Sequence, residues 1–291
     1  MKYTTTALAA LLAANVAAAP LTLIPESGDA RCAIVVDPAV MASGSSTTGL
    51  VNPALEAEKQ RVRLRASVED LAAILEQMTG RAVPVVTNSA PAGKTPIFIG
   101  SSARAVFGPV GVSAPFQQGM RVVVDAGKGV GLYGESMLAD SYAVYTFLDQ
   151  LGCRWFMPGE LGEIIPQKTK LVVEEADLQD APHTVYRGGS GYGFDDVFMR
   201  RNRMGGVLPP TQHCLEGGYV GKEEKAKHPE WIAEFEDGRP MSNRLKWSNA
   251  TLANRIGEII SERQRTNPQF FYCLSPDDGA VFDQSKEDKA L

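Results

Sequence analysis

A chain of 291 residues, 44% hydrophobic and 22% charged, can build one large or two ordinary domains with cores of their own. Twenty-nine basic residues against 34 acidic ones give a formal net charge of -5, and no Lys/Arg run is long enough to track a phosphate backbone, so nucleic acid is not an expected partner.

The chain opens with Lys2 and the apolar run "ALAALLAANVAAA". Such a run is shorter than the roughly 20 residues a membrane-spanning helix needs. Small residues at Val16 and Ala18 suit cleavage near Ala18 or Ala19, so residues 1–19 read as a secretory signal. The expected location is therefore secreted, periplasmic or cell-surface, with no stable membrane span after cleavage. Cys32, Cys153, Cys214 and Cys273 lie far apart and show no C-x-x-C spacing, which signals neither a zinc site nor a disulfide framework and leaves buried free thiols as the reading.

A first domain is expected over residues 30–175. Ser67 precedes "VEDLAAILEQMTG", with Asp70 three residues on and Gly80 beyond, which reads as a capped amphipathic helix. "AVPVV", "TPIFIG" and "MRVVVDA" are short β-branched runs bounded by Gly, Pro and Asp, and "GVGLYG" makes a further strand. A second helix is expected from about Met137 to Leu151. This order predicts a small sheet with helices on one face. At its exit, "DQLGCRWFMPGELGEIIP" (149–166) reads as a packing element in which Trp155 and Phe156 are buried.

After the acidic run "VEEADLQDAP" a second unit is expected over 182–291. "HTVYRGG" reads as a strand ending at Arg187, "DDVFMRRNRMG" as a helix stopped near Gly205, and "PEWIAEFEDG" as a short helix. "SNATLANRIGEIISERQR" reads as a longer helix, and "PQFFYCLSPDDG" as a buried strand delivering Asp277 and Asp278 into a loop. Strands followed by helices, repeated, predict a parallel α/β arrangement.

Several motifs carry chemistry. "GVGLYG" fits G-x-G-x-x-G, yet the acid expected about 20 residues on would be Asp149, inside a helix rather than at a strand end, which disfavours a dinucleotide site. "GGSGYG" (188–193) reads as a loop. His213 and Cys214 are adjacent, with Glu216 close by, an arrangement poorly disposed for a thiol protease or a zinc site; His213 remains a substrate-binding candidate. His183 and His228 read as surface or capping residues. Asp277 and Asp278 are either functional acids at a strand's C-terminal edge or an ordinary Ser-Pro-Asp-Asp-Gly turn. They cannot be the opposed carboxylates of an ordinary glycosidase, which stand about 5 to 10 Å apart across the bond. Arg187 occupies the equivalent edge of the first strand, where a guanidinium donates paired hydrogen bonds to hydroxyls or a carboxylate; a surface salt bridge is the alternative.

Five segments, "SYAVYTFLDQLGCRWFMPGELGEIIP", "YRGG", "RRNRMGG", "HPEWIAEFEDGRP" and "FYCLSPDDGAVFDQS", resemble in this order bacterial secreted proteins carrying the domain of unknown function 4838, grouped largely as glycoside hydrolase family 163. The first domain resembles the small non-catalytic α/β domain of family 20 hexosaminidases and family 67 α-glucuronidases. The resemblance implies a (β/α)8 barrel after residue 182 and activity on N-acetylglucosamine-containing glycans. It also implies Arg187, His213, Asp277 and Asp278 as substrate-binding residues, Asp278 being the better supported of the two acids. The fold class expected is thus an α/β sandwich domain followed by an incomplete barrel. A barrel takes about 250 residues, whereas about 110 follow Pro182, so the chain is expected to stop before the catalytic glutamates and to be inactive alone. No metal or other cofactor is implied. The competing expectations are a non-catalytic carbohydrate-binding protein using Trp231, Trp247 and Arg187, and an α-glucuronidase-like enzyme using Arg187 on a uronic acid.

Overall fold

The computed structural model describes residues 20–44, 54–189, 196–207, 218–266, 272–275, 282–286 and 288–290. The chain forms two compact units: Met1–His183 with Arg187–Gly205, and Thr184–Tyr186 with Gly206–Leu291. Residues 1–19, expected to be a secretory signal, lie outside the described residues.

The first unit is mixed α/β. Its elements are β1 (Leu21–Ile24), β2 (Cys32–Val35), α1 (Pro38–Met41), α2 (Ala54–Thr79), β3 (Val85–Val86), β4 (Thr95–Ile99), α3 (Ser101–Phe107), β5 (Met120–Asp125), β6 (Gly129–Gly134) and α4 (Met137–Gln150). After these come β7 (Arg154–Trp155), β8 (Glu163–Ile164), β9 (Leu171–Val173) and β10 (Ala176–Asp180), and α5 (Asp196–Arg201) completes the unit. A six-stranded sheet runs β10-β5-β6-β4-β2-β3. β6, β4, β2 and β3 are parallel, while β5 and β10 run antiparallel to their neighbours.

Period-two alternation decides which residue meets which helix. Ile97, Ile99, Val122, Val124, Val130 and Leu132 face the main core under α2 and α4. Their neighbours Phe98, Val123 and Tyr133 face the other way and meet Ala103 and Phe107 of α3. Helices therefore cover both faces, not one, because the sheet's second face is also apolar enough to need a cover.

α2 begins well before Ser67, which sits mid-helix and is not a cap. The preceding stretch is helix-forming and stitched by Lys59–Glu56, Arg61–Glu58 and Arg65–Glu69 pairs at 2.9, 2.8 and 3.0 Å. Buried Ser67 donates to or accepts from Ser141 Oγ (2.9 Å) and donates to the Arg63 carbonyl (2.9 Å), tying α2 to α4. Leu64, Val68, Leu71, Ile74, Leu75 and Met78 line the buried stripe of α2, each contributing about 1.5–3 kcal/mol of burial.

"GVGLYG" is strand β6, buried at all six positions. A side chain at Gly131 would meet the Phe107 ring at 2.6 Å, and one at Gly134 would meet Ala139 Cβ at 2.3 Å. These glycines admit neighbouring side chains to the sheet rather than a phosphate. In the exit segment Trp155 is buried as expected, but Phe156 is 71% exposed. It shares the outward face of the β7–β8 hairpin with Ile164, the register pairing Arg154 with Ile164 and Trp155 with Glu163.

Beyond the boundary elements β11 (Tyr186–Arg187) and β12 (Gly205–Gly206), the second unit contains α6 (Lys222–Lys227), β13 (Ile232–Glu234), β14 (Pro240–Leu245) and α7 (Ala250–Thr266). Tyr219, Val220, Trp231, Leu245, Leu252, Ile256 and Ile259 form its core. "PEWIAEFEDG" is not a helix: a 3-10 turn at Pro229–Trp231 leads into β13, which pairs antiparallel with β14. Its Asp237-Gly238 turn, with Gly238 at φ +80°, closes a hairpin and overrides the helical spacing. Asn249 caps α7, its side-chain oxygen accepting from the amides of Thr251 and Leu252 at 3.0 and 3.1 Å. Of the strand expected around residue 270, only 272–275 are described, and these are irregular.

Candidate functional site

Arg187 belongs to the first unit. Its guanidinium lies over the Tyr142 ring, 4.8 Å from the centroid. Nε and Nη2 donate to the Arg203 carbonyl at 3.0 and 2.9 Å, and Nη1 donates to Gln118 Oε1 at 3.3 Å. Gln118 is 1% exposed and also accepts from the Tyr142 hydroxyl at 3.5 Å. Arg63 approaches the same ring at 5.7 Å and donates to the Met204 carbonyl at 2.7 Å and to Ser141 Oγ at 3.3 Å. Burial pushes the Tyr142 phenol above its ordinary pKa and pulls the Arg63 guanidinium below its own.

The carbonyls that receive these guanidiniums close α5. Arg203 stands in the left-handed region at φ +56°. Its amide bonds to the Arg200 carbonyl at 3.0 Å and the Met204 amide to that of Met199 at 2.8 Å, the paired bonds of a Schellman stop. A residue other than glycine there costs about 1–2 kcal/mol. Cationic guanidiniums at a helix C-terminus offset the negative end of its peptide dipoles.

A second set of side chains fastens α5 to the sheet domain. Asp70 Oδ2 accepts from the Tyr145 hydroxyl (2.7 Å), Arg200 Nη2 (3.1 Å) and Arg201 Nε (3.3 Å). Arg200 Nε also donates to the Tyr145 oxygen at 2.8 Å. Arg201 pairs with Glu163, whose carboxylate accepts the Trp155 indole N–H at 2.9 Å. Tyr145 and Trp155 meet edge to face at 5.9 Å, and Arg201 lies 5.5 Å from the Trp155 ring centroid. Burial, reinforced by Asp70, pushes the Tyr145 phenol far above its ordinary pKa. For Arg200 burial acts to lower the pKa, but Tyr145 and Asp70 outweigh it, so the guanidinium stays charged.

This network joins two segments that the sequence presented separately, "CRWFMPGELGEIIP" and "RRNRMGG". Glu163 is thus committed to Trp155 and Arg201, and Glu160 is exposed. Asp70, read from sequence as a helix-start acid, is the hub of the network, and Gln118, Tyr142 and Arg63 were not singled out. Nothing local marks them, because their partners lie up to 141 positions away in the chain.

His213, Cys214, Asp277 and Asp278 lie outside the described residues. Trp231 is 4% exposed, its indole N–H donates to Thr251 Oγ1 at 2.8 Å, and its ring stacks on His228 at 3.9 Å. It therefore offers no open face for a sugar, whereas Trp247 is 37% exposed. His183 is exposed, and His228 Nδ1 lies 2.9 Å from Glu230 Oε1.

One acid of the second unit went unnoticed in sequence. Asp283 has a fully buried carboxylate that accepts from the Glu234 amide (2.6 Å) and from Ser285 Oγ (2.5 Å), with Lys246 Nζ at 3.4 Å. Burial raises its pKa, but these donors outweigh that and hold it below the ordinary carboxylate value. Its partners make it a tie between the 282–286 segment and the β13–β14 hairpin. Cys32 and Cys153 are buried free thiols, each pushed up to about 11 by burial. Among the described residues no group of three or more His, Cys, Asp or Glu could hold a metal ion, and no helix is long and apolar enough to cross a membrane.

No protein-family model matches the chain, and no curated protein sequence matches it. Among solved structures, the family 20 β-N-acetylhexosaminidase of Streptomyces coelicolor A3(2) aligns with a TM-score of 0.33 and 19% identity, over 58% of this chain and 25% of its own. The N-acetyl-β-hexosaminidase of Streptomyces plicatus in complex with Thio-NAglucal aligns with a TM-score of 0.32 and 17% identity, over the same shares. The chain spans about a quarter of the length of these structures, and the likeness is distant.

Proposed function

We propose that this chain belongs to a secreted glycoside hydrolase acting on N-acetylglucosamine-containing glycans, its α/β domain over 30–175 followed from 182 by the first strands of a (β/α)8 barrel. The observation that carries this reading is the ordered set of five segments with the family resemblance, from "SYAVYTFLDQLGCRWFMPGELGEIIP" to "FYCLSPDDGAVFDQS". The side-chain ties of Trp155 and Glu163 to Arg201 support it, since they make the first and third of those segments parts of one packed feature.

In this reading Arg187, His213, Asp277 and Asp278 bind the glycan. Cleavage proceeds through protonation of the glycosidic oxygen by a carboxylic acid and attack at the anomeric carbon by a carboxylate or by the substrate's own acetamide. Arg187 donates planar, fixed hydrogen bonds to sugar hydroxyls. No bound metal is required by that chemistry.

The test is to express the product of the complete coding region and incubate it with an N-glycoprotein and, separately, with glucuronoxylan. Release of N-acetylglucosamine-containing fragments from the first supports the proposal. Trimming of glucuronoxylan alone replaces it with the uronic-acid reading, and glycan binding without cleavage replaces it with a non-catalytic carbohydrate-binding protein.

A further inference from the structure

Among the described residues, the non-glycine positions with left-handed backbone are Phe116 (φ +60°), Gln117 (φ +56°) and Arg203 (φ +56°). They fall in two turns far apart in sequence, and both turns end on Arg187. Phe116 and Gln117 immediately precede Gln118, which accepts from Arg187 Nη1 at 3.3 Å, and the Arg203 carbonyl accepts from Arg187 Nε and Nη2. The buried Tyr142 ring closes the seat from α4 at 4.8 Å. Backbone strain persists only where surrounding structure enforces it, and it concentrates where a group must be held in one geometry.

We infer that the α/β unit is the seat that orients Arg187: Gln118 and Tyr142 are positioning residues, and the strained turns at 116–117 and 203 fix the acceptors against which the guanidinium plane is set. The Asp70, Arg200, Arg201 and Glu163 ties hold the 196–205 arm that carries one of those acceptors. An arginine held on Nε, Nη1 and Nη2 at once has lost its rotamer freedom before substrate arrives, so the ordering cost is not charged to binding. The inference rests on the reading of Arg187 as a glycan-binding residue, and it adds that the preceding domain takes part in recognition through it.

The experiment compares wild type with Gln118→Leu, which removes the acceptor, and Gln118→Glu, which keeps one. Two readouts are taken on the product of the complete coding region: KM and kcat on an N-acetylglucosamine-containing oligosaccharide, and exchange of the Arg187 Nη1 protons with solvent by NMR. Gln118→Leu is expected to raise KM about tenfold with kcat within about twofold and to speed exchange of the Nη1 protons, which lose their acceptor, while Gln118→Glu restores both. An unchanged KM and unchanged exchange in Gln118→Leu overturn the inference. So does a loss of activity that follows loss of folding and is not rescued by Gln118→Glu. If the wild-type protein cleaves no such oligosaccharide, the functional proposal fails, and the exchange of the Nη1 protons alone decides the seat: slow in wild type and fast in Gln118→Leu upholds it, equal rates refute it.

Discussion

Asp140 is a buried acid whose pKa is raised by its surroundings. It lies in the first turn of α4, 1% exposed. Its Oδ1 accepts the Gly134 amide at 2.7 Å and Arg104 Nη1 at 2.8 Å, and its Oδ2 faces Gly100, where a Cβ would stand 2.8 Å away. Burial pushes its pKa from 3.8 up to about 6, with Arg104 and the Gly134 N–H pulling the other way. The folded protein thus holds this proton more tightly than the unfolded chain. The stability this confers is fully present below about pH 3.8 and is lost as pH rises through about 6. A shift of about two units corresponds to about 3 kcal/mol. Asp140→Asn keeps an acceptor for the Gly134 amide and does not titrate. Urea unfolding of the first unit, followed by hydrogen exchange of peptides covering β4 to β6, is measured at pH 4 and pH 7.5 for both proteins. Groups common to both cancel, among them Asp177, held below its ordinary pKa by the Arg121 hydrogen bonds. The wild type should lose about 2 kcal/mol more than the variant across that interval, the rest of the effect falling below pH 4. Parallel pH profiles for the two proteins would refute the reasoning.

Asp70→Ala removes the acceptor shared by Tyr145, Arg200 and Arg201 and leaves the buried Arg200 and half-buried Arg201 guanidiniums without their shared anion; the expected cost is on the order of 3 kcal/mol, and a loss below about 1 kcal/mol in urea unfolding would show the network to be peripheral. Gly131→Ala drives a methyl into the Phe107 ring, 2.6 Å from the Cβ position. It should destabilise the sheet by about 1–3 kcal/mol, and an unchanged urea midpoint would contradict the assignment of "GVGLYG" as a packed strand.

The first unit's strands were legible because their signal is local. "TPIFI", "MRVVVD" and "GVGLYG" each carry β-branched or small residues in a run bounded by turn formers, and each is a strand. α4 was equally plain, expected from about Met137 to Leu151 and formed over Met137–Gln150, while its cap, Ser136, was seen only in the fold. The errors came where a longer-range or stronger local factor competed. Ser67 and Asp70 have the spacing of a capping box, but the ion-paired residues before them extend the helix back to Ala54, so Ser67 is spent on Ser141. In "PEWIAEFEDG" the Asp-Gly turn and its facing strand prevailed over helical spacing. Phe156 was expected inside because it is large and apolar, yet strand alternation turned it outward once Trp155 faced in. The Arg187 seat was half legible: the sequence singled out the arginine, while Gln118, Tyr142 and Arg203 reach it only through the fold.

The most direct measurement on the functional account is the kcat/KM of Arg187→Lys and Arg187→Ala, in the product of the complete coding region, on an N-acetylglucosamine-containing oligosaccharide. Lysine keeps the charge but cannot present a planar fork, so both variants should fall by roughly 10- to 100-fold, with folding verified by protected exchange across β4 to β6. Folded variants with wild-type kcat/KM would contradict the assignment of Arg187 to the glycan.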